Sequence, residues 1–317
     1  MAESRLAVVA ALLGNLLIAI LKLVAGLASQ SAAMFAEAAH SFSDVGNQIL
    51  LLLGIARAHR PPSPEHPFGT GKAAYFWPFM VAILLFGVAG AYSAFEGIEK
   101  FQHPHAIGDI RLSLAVLAAA FAIEAVSLFI AFREAKKGAR RRGIANLRQF
   151  LDENRDATLI TVLVEDGLAL VGLPIAALAL VLAQATGDPR WDAAGSLTIG
   201  LLLMGIALFL GSVVQRLLIG AGLSRRDLER VTAIIAADPA TVRIAGLQSM
   251  YLGPDVVLLG AEVELRESGP GQMLAATARI ETALVQALPQ LKFVYVEPQG
   301  PSTQAIVPAA KTAHAPN

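Results

Sequence analysis

The stretch Ser31-Ala-Ala-Met-Phe-Ala-Glu37-Ala-Ala-His40-Ser-Phe-Ser-Asp44-Val-Gly-Asn47-Gln48 decides how the chain is read. Glu37, His40, Asp44 and Asn47 or Gln48 recur at intervals of three and four residues, the spacing that lines one face of a helix. The residues between them are small or apolar, and the run continues uncharged to Ala56. Such a run exceeds the roughly 20 helical residues that cross a hydrocarbon core, so the stripe is a polar seam inside a membrane helix. An ionised Asp at mid-bilayer costs about 2.5 to 3.5 kcal/mol. The stripe must therefore face partners or water. His40 and Asp44 stand at i and i+4, close enough for an imidazole nitrogen and a carboxylate to share one cation. A hydrogen-bonded seam between helices is the alternative for the same residues.

Outward from this helix, further apolar runs cover residues 6–28, 73–98, 112–132, 157–184 and 191–218, which with 31–56 makes six spans. The composition agrees: 55% of the 317 residues are apolar and 16% charged, with a mean hydropathy of +0.59. A cleaved signal peptide is the alternative for the first run, but the run is long and contains Lys22, so a retained span is expected. Arg133, Lys136, Lys137, Arg140, Arg141, Arg142 and Arg148 crowd the connection between spans four and five, which the positive-inside rule makes cytoplasmic. Both termini then lie in the cytoplasm, and the expected location is the bacterial inner membrane. Twenty-five basic residues balance twenty-five acidic ones, so no nucleic-acid partner is implied. The absence of cysteine excludes thiolate metal sites, disulfides and a thiol nucleophile.

Three domains follow: a transmembrane part, 1–220, a soluble part, 221–300, and a tail, 301–317, expected to be disordered. Residues 224–237 read as a helix with Ser224 three residues before Asp227, the capping-box spacing. Residues 242–252 and 256–266 read as strands around Gly253, Pro254 and Asp255, then a helix at 270–288 and a strand at 292–297. The order αββαβ describes a small ferredoxin-like α+β unit.

Span five supplies the complement to the stripe, in Glu165 and Asp166. Adjacent helical residues point about 100° apart, so one of the two should lead. At 1.5 Å per residue, Asp166 lies roughly 14 Å and Asp44 roughly 18 Å from the cytoplasmic ends of their helices. They can meet. Oxygen and nitrogen donors without thiolate suit zinc, manganese or another divalent first-row ion. Glu124 in span four is a further candidate for the site or a proton path, as is Glu37. Lys22 is expected to snorkel to the outer interface. His59, His103 and His105 fall in loops, and Gly87, Gly90, Ala91, Ala94, Ser196 and Gly200 read as close helix packing.

These features together resemble the cation diffusion facilitator family of proton-coupled divalent metal exporters. The second span of that family carries a His or Asp four residues before an Asp, as His40 and Asp44 do here. His66-Pro67-Phe68-Gly69 with Gly71-Lys72-Ala73 matches its signature after span two. Asp192, Gly195, Ser196 and Gly200 resemble its sixth span, and the αββαβ tail resembles its cytoplasmic dimerisation domain. Val162 stands where the common pattern has a His four residues before the Asp of span five, and Glu165 is added. That departure is similar to the branch containing mammalian zinc transporter nine. Thr70 replaces a His found in some members, so an accessory site in that loop is not expected.

The resemblance implies a homodimeric secondary transporter with no resident cofactor, exporting a divalent cation, zinc foremost, against protons. His40, Asp44 and Asp166 would be ligands, with Glu165, Asn47 or Glu124 competing for the remaining position. A membrane-embedded metallohydrolase using the same residues and a non-transporting metal sensor are the alternatives. Residues 221–300 contain no His or Cys, so that domain is expected to dimerise by packing rather than through tightly bound zinc.

Overall fold

The computed structural model describes residues 2–141, 144, 146, 157–266 and 269–299, with side chains from residue 12 onward. Arg142, Arg148 and the expected disordered tail 301–317 lie outside the described residues. The chain divides into two compact units: Met1–Arg60 with Ala73–Arg216, and Pro61–Lys72 with Leu217–Asn317.

Among the described residues the first unit holds six long helices, the last running on by three residues into the second unit: α1 (Ala2–Ser29), α2 (Ala32–Ala58), α3 (Ala73–Gln102), α4 (Arg111–Arg141), α5 (Ala157–Thr186) and α6 (Arg190–Ile219). Among the described residues, α1, α3, α4, α5 and α6 are long and apolar enough to cross a membrane. Helix α2 has a similar length, 27 residues, but its polar stripe dilutes its hydropathy. Large apolar side chains such as Leu13, Leu17 and Leu27 of α1 and Val126, Phe129 and Ile130 of α4 are exposed. A soluble protein would bury such a continuous apolar surface, and a bilayer removes the need.

Helix α2 is central and packs against α1, α3 and α5. Ser31 caps it by accepting a hydrogen bond from Met34 N at 3.0 Å. Gln30, at φ 56°, turns the chain between α1 and α2. The small residues lie at contacts: a Cβ on Gly90 would come within 2.7 Å of Met204 Cγ, and Ser196 donates to Ser93 O at 2.8 Å. Helix α3 loosens to π geometry over Leu85–Ala91, after Pro78. Helix α5 carries Pro174 in its interior, which removes one backbone hydrogen bond from the helix ladder.

In the second unit α7 (Arg225–Ala237), β1 (Thr241–Gly253), β2 (Val256–Leu265), α8 (Pro270–Ala287) and β3 (Leu291–Gln299) follow the expected αββαβ order. The sheet runs β1-β2-β3, with β1 antiparallel and β3 parallel to β2. Alternate residues of β2, from Val257 to Leu265, are buried with Ile235 of α7 and Ile280 and Leu284 of α8. Ser224 Oγ accepts from Asp227 N at 3.2 Å and starts α7. Pro61–Lys72, a connection between two spans by hydropathy, packs within this unit. Phe68 meets Phe293 edge-on at 5.0 Å, Lys72 donates to Leu218 O at 3.3 Å, and a Cβ on Gly71 would collide with Leu252 O.

Candidate metal centre

The helical periodicity of α2 turns Glu37, His40, Ser41, Asp44 and Asn47 toward neighbouring helices rather than outward. Below Ser41 a polar cavity of about 70 Å³ opens, large enough for water. Four carboxylates line it: Asp44 from α2, Glu124 from α4, and Glu165 and Asp166 from α5. Asn15, Ser41, Gln48 and Ser127 add polar groups to its walls, and Ile18, Leu51 and Val162 apolar ones.

The two adjacent carboxylates of α5 both reach the cavity, held from different sides. Asn47 Nδ2 donates to Glu165 Oε1 at 2.7 Å, tying Glu165 to α2. Ser127 Oγ donates to Asp166 Oδ2 at 2.7 Å, tying Asp166 to α4. Glu165 is 7% exposed and Asp166 is half-buried. Glu124 faces the same space, so the 100° fan of the two α5 side chains is met by groups on two helices, α2 and α4.

His40 is buried beside Asp44, with Nδ1 3.5 Å from Asp44 Oδ1. Neither ring nitrogen has a hydrogen-bond partner, nor has Asp44 Oδ1. Burying such groups unpaired is costly, and a cation between them would remove the cost. His40 stands behind Asp44 rather than on the cavity lining. Among the described residues no three His, Asp or Glu side chains stand at the spacing of a closed coordination shell. The expected donors thus share one region without forming a finished cage.

Lys22 corrects the expectation of snorkelling. Its side chain is fully buried, and Nζ donates to Glu37 Oε2 at 2.9 Å and to Ser41 Oγ at 2.7 Å. A carboxylate inside the bundle is a stronger draw than a distant interface, because an ammonium paired in low dielectric keeps its charge compensated. Glu37 is accordingly engaged by α1, and its Oε1 lies 2.7 Å from where a Cβ on Gly172 would stand. At the opposite end of α2, Asp192 is fully buried and accepts from Ser31 Oγ at 2.5 Å, Ala32 N at 2.6 Å and Ala33 N at 3.3 Å. Lys100 completes this cluster, 2.9 Å from Asp192 and donating also to Gln30 O. His59, His66, His103 and His105 are exposed, as loop residues.

Sequence reasoning missed Ser127 and Lys100, and it misplaced Lys22. Ser127 lies one turn from Glu124 on α4, so the same face that carries Glu124 could have revealed it. Lys100 sits at the end of an apolar span, where a snorkelling cation and a buried one look alike in sequence.

Membrane-length helices whose side chains place four carboxylates around one internal cavity define an integral membrane protein with a polar interior. The chain belongs to the cation efflux family, whose transmembrane domain matches residues 8–219. It is 33% identical over 243 residues to the mitochondrial proton-coupled zinc antiporter SLC30A9 of Xenopus laevis, covering 77% of this chain and 43% of that protein. It is 31% identical over 272 residues to metal tolerance protein C4 of Arabidopsis thaliana, covering 86% of this chain and 58% of that one. The chain therefore spans about half the length of these relatives. A shorter likeness, 37% over 98 residues and 31% of this chain, joins it to the manganese efflux system protein MneP of Bacillus subtilis.

Proposed function

We propose that this protein carries a divalent metal ion, zinc foremost, out of the cytoplasm in exchange for protons, as a homodimer with six membrane spans. The single observation that carries the reading is the cavity where Asp44, Glu124, Glu165 and Asp166 meet inside the helical bundle. Asp44 and Asp166 bind the ion with His40, whose unpaired nitrogens supply the softer donor. Glu165, Asn47 and Glu124 compete for the remaining position, Val162 being unable to fill it. Metal arriving at the cavity draws the carboxylates together, because a divalent charge replaces their repulsion with attraction.

Proton exchange follows from the donors themselves. His40 and the carboxylates bind metal only when deprotonated, so protons entering from the far side displace the ion and are carried inward. Helix α2 supplies the sixth span despite its polarity, since its stripe faces the cavity and not lipid. Arg57, Arg133, Lys136, Lys137, Arg140, Arg141 and Arg216 then gather at one membrane face, which the positive-inside rule makes cytoplasmic. Both termini lie on that side. Residues 1–220 without Pro61–Lys72 form the transport domain, and 221–300 with that segment the dimerisation domain, where exposed Val242, Leu274, Val285 and Tyr295 offer apolar surface to a second copy.

The family assignment speaks against the metallohydrolase alternative, since the relatives bear the names of transporters. The test is metal flux into vesicles loaded with a metal-sensitive dye, under an opposing proton gradient. Zinc uptake that stops with Asp44→Ala or Asp166→Ala, and slows with a proton ionophore, is expected. Wild-type flux in either variant, purified as a normal dimer, would overturn the site assignment. Flux indifferent to pH and ionophore would overturn the coupling.

A further inference from the structure

Asn15, Ile18 and Lys22 recur at three and four residues and share one face of α1. Asn15 and Ile18 line the polar cavity, and so does Ser41, the residue whose hydroxyl accepts from Lys22 Nζ. The Lys22 ammonium therefore stands directly behind the cavity wall, within electrostatic reach of Asp44 and Glu124. On its other side it holds Glu37 Oε2, while Glu37 Oε1 has no hydrogen-bond partner. Glu37 sits one turn before His40 on the same stripe, and Gly172 leaves room for its free oxygen.

Two charges buried in this way add little stability over an apolar pair of the same size. A brace between α1 and α2 would not need an ammonium at the cavity wall, nor a carboxylate with one oxygen left open. Glu37 is a ready donor one turn from a metal site, restrained by a fixed cation. We propose that Lys22 is a positioning residue that withholds Glu37 from the transported metal and so sets the affinity of the cavity. Without Lys22, Glu37 joins the ligands, and the ion is held too tightly to be released. Without Glu37, the unpaired ammonium faces the cavity and repels a divalent ion. The pair thus tunes affinity in both directions around the value that permits turnover.

This inference rests on the cavity being the metal site, and the experiment separates the two. Zinc binding is measured by calorimetry on the full chain in detergent, with flux in vesicles alongside. Lys22→Met is expected to tighten zinc binding about tenfold and slow flux, and Glu37→Gln to weaken binding about tenfold. Lys22→Met with Glu37→Gln is expected to bind within about threefold of wild type. A brace would lower folding yield in both single variants and leave the dissociation constant alone. Single variants that shift the constant in the same direction, or by less than about threefold, overturn the proposal. If neither single variant folds, the pair is a brace and the proposal is overturned. Asp44→Ala is the control: wild-type zinc affinity there would overturn the metal-site reading, and the proposal with it.

Discussion

Asp192→Ala should be the most damaging single substitution at the start of α2. The carboxylate caps the helix through Ala32 N and Ala33 N, accepts from Ser31 Oγ, and neutralises Lys100, all while fully buried. Removing it strands the Lys100 ammonium in low dielectric, a loss of about 3 to 5 kcal/mol when one partner of a buried pair is deleted. Losing the cap and the favourable end of the helix dipole adds about 1 kcal/mol. These contributions share one carboxylate and do not sum independently, so about 4 kcal/mol is the expected total. The measurement is reversible unfolding in mixed micelles, comparing the midpoint and slope for each variant. Asp192→Asn with Lys100→Met keeps the shape and removes both charges, and should recover more than half the loss. A loss below about 1 kcal/mol in Asp192→Ala, or no recovery in the double variant, would refute the argument that the buried charge pair sets the cost.

Val162→His places an imidazole on the cavity lining one turn before Asp166. It should raise discrimination for zinc over manganese in competition flux, since two nitrogens and two carboxylates favour tetrahedral zinc; unchanged selectivity would mean that Val162 does not face the ion. Glu165→Gln should damage flux in the native protein and matter less beside Val162→His, and additive losses would show that the two do not fill one vacancy. At Gly200 a Cβ would fall on Ala94 N and 2.8 Å from Gly90 O, so Gly200→Val should cost about 1 to 3 kcal/mol in the same unfolding assay. In the C-terminal domain, hydrogen bonds from Arg279 hold the Asp238 carboxyl below its ordinary value of 3.8, helped by Ala240 N and opposed by partial burial. A carboxyl whose folded value is depressed stabilises above that ordinary value and loses the contribution as pH falls through the lowered one. Arg279→Met should thus be less stable than wild type near neutral pH, the two curves converging in acid; parallel curves would refute the linkage.

Periodicity made α2 legible. Small residues and a four-residue beat of polar groups specify a helix and one face, and nothing else fits Glu37, His40, Asp44 and Asn47. The turn at Gly253, Pro254 and Asp255 that divides β1 from β2 and the cap at Ser224 are equally plain, because each is a local rule. What lay hidden was the identity of neighbours. A helix face says that Lys22 must be compensated or snorkel, but which helix stands opposite is a tertiary fact. For the same reason Glu165 and Asp166 could not be ranked: Asn47 and Ser127 come from different helices and satisfy one each. The loosening of α3 at Leu85–Ala91 left no mark in composition beyond its glycines.

The placing of Pro61–Lys72 with the C-terminal unit changes what a modular protein means here. A domain appended at the end of a chain can be exchanged by cutting once, but this one owns a second segment threaded between α2 and α3. Phe68, Gly71 and Lys72 are shaped to Phe293, Leu252 and Leu218. A chimera that swaps only the part after Arg216 would import a foreign surface for a native insert, so the two pieces must be inherited together, as one interrupted module.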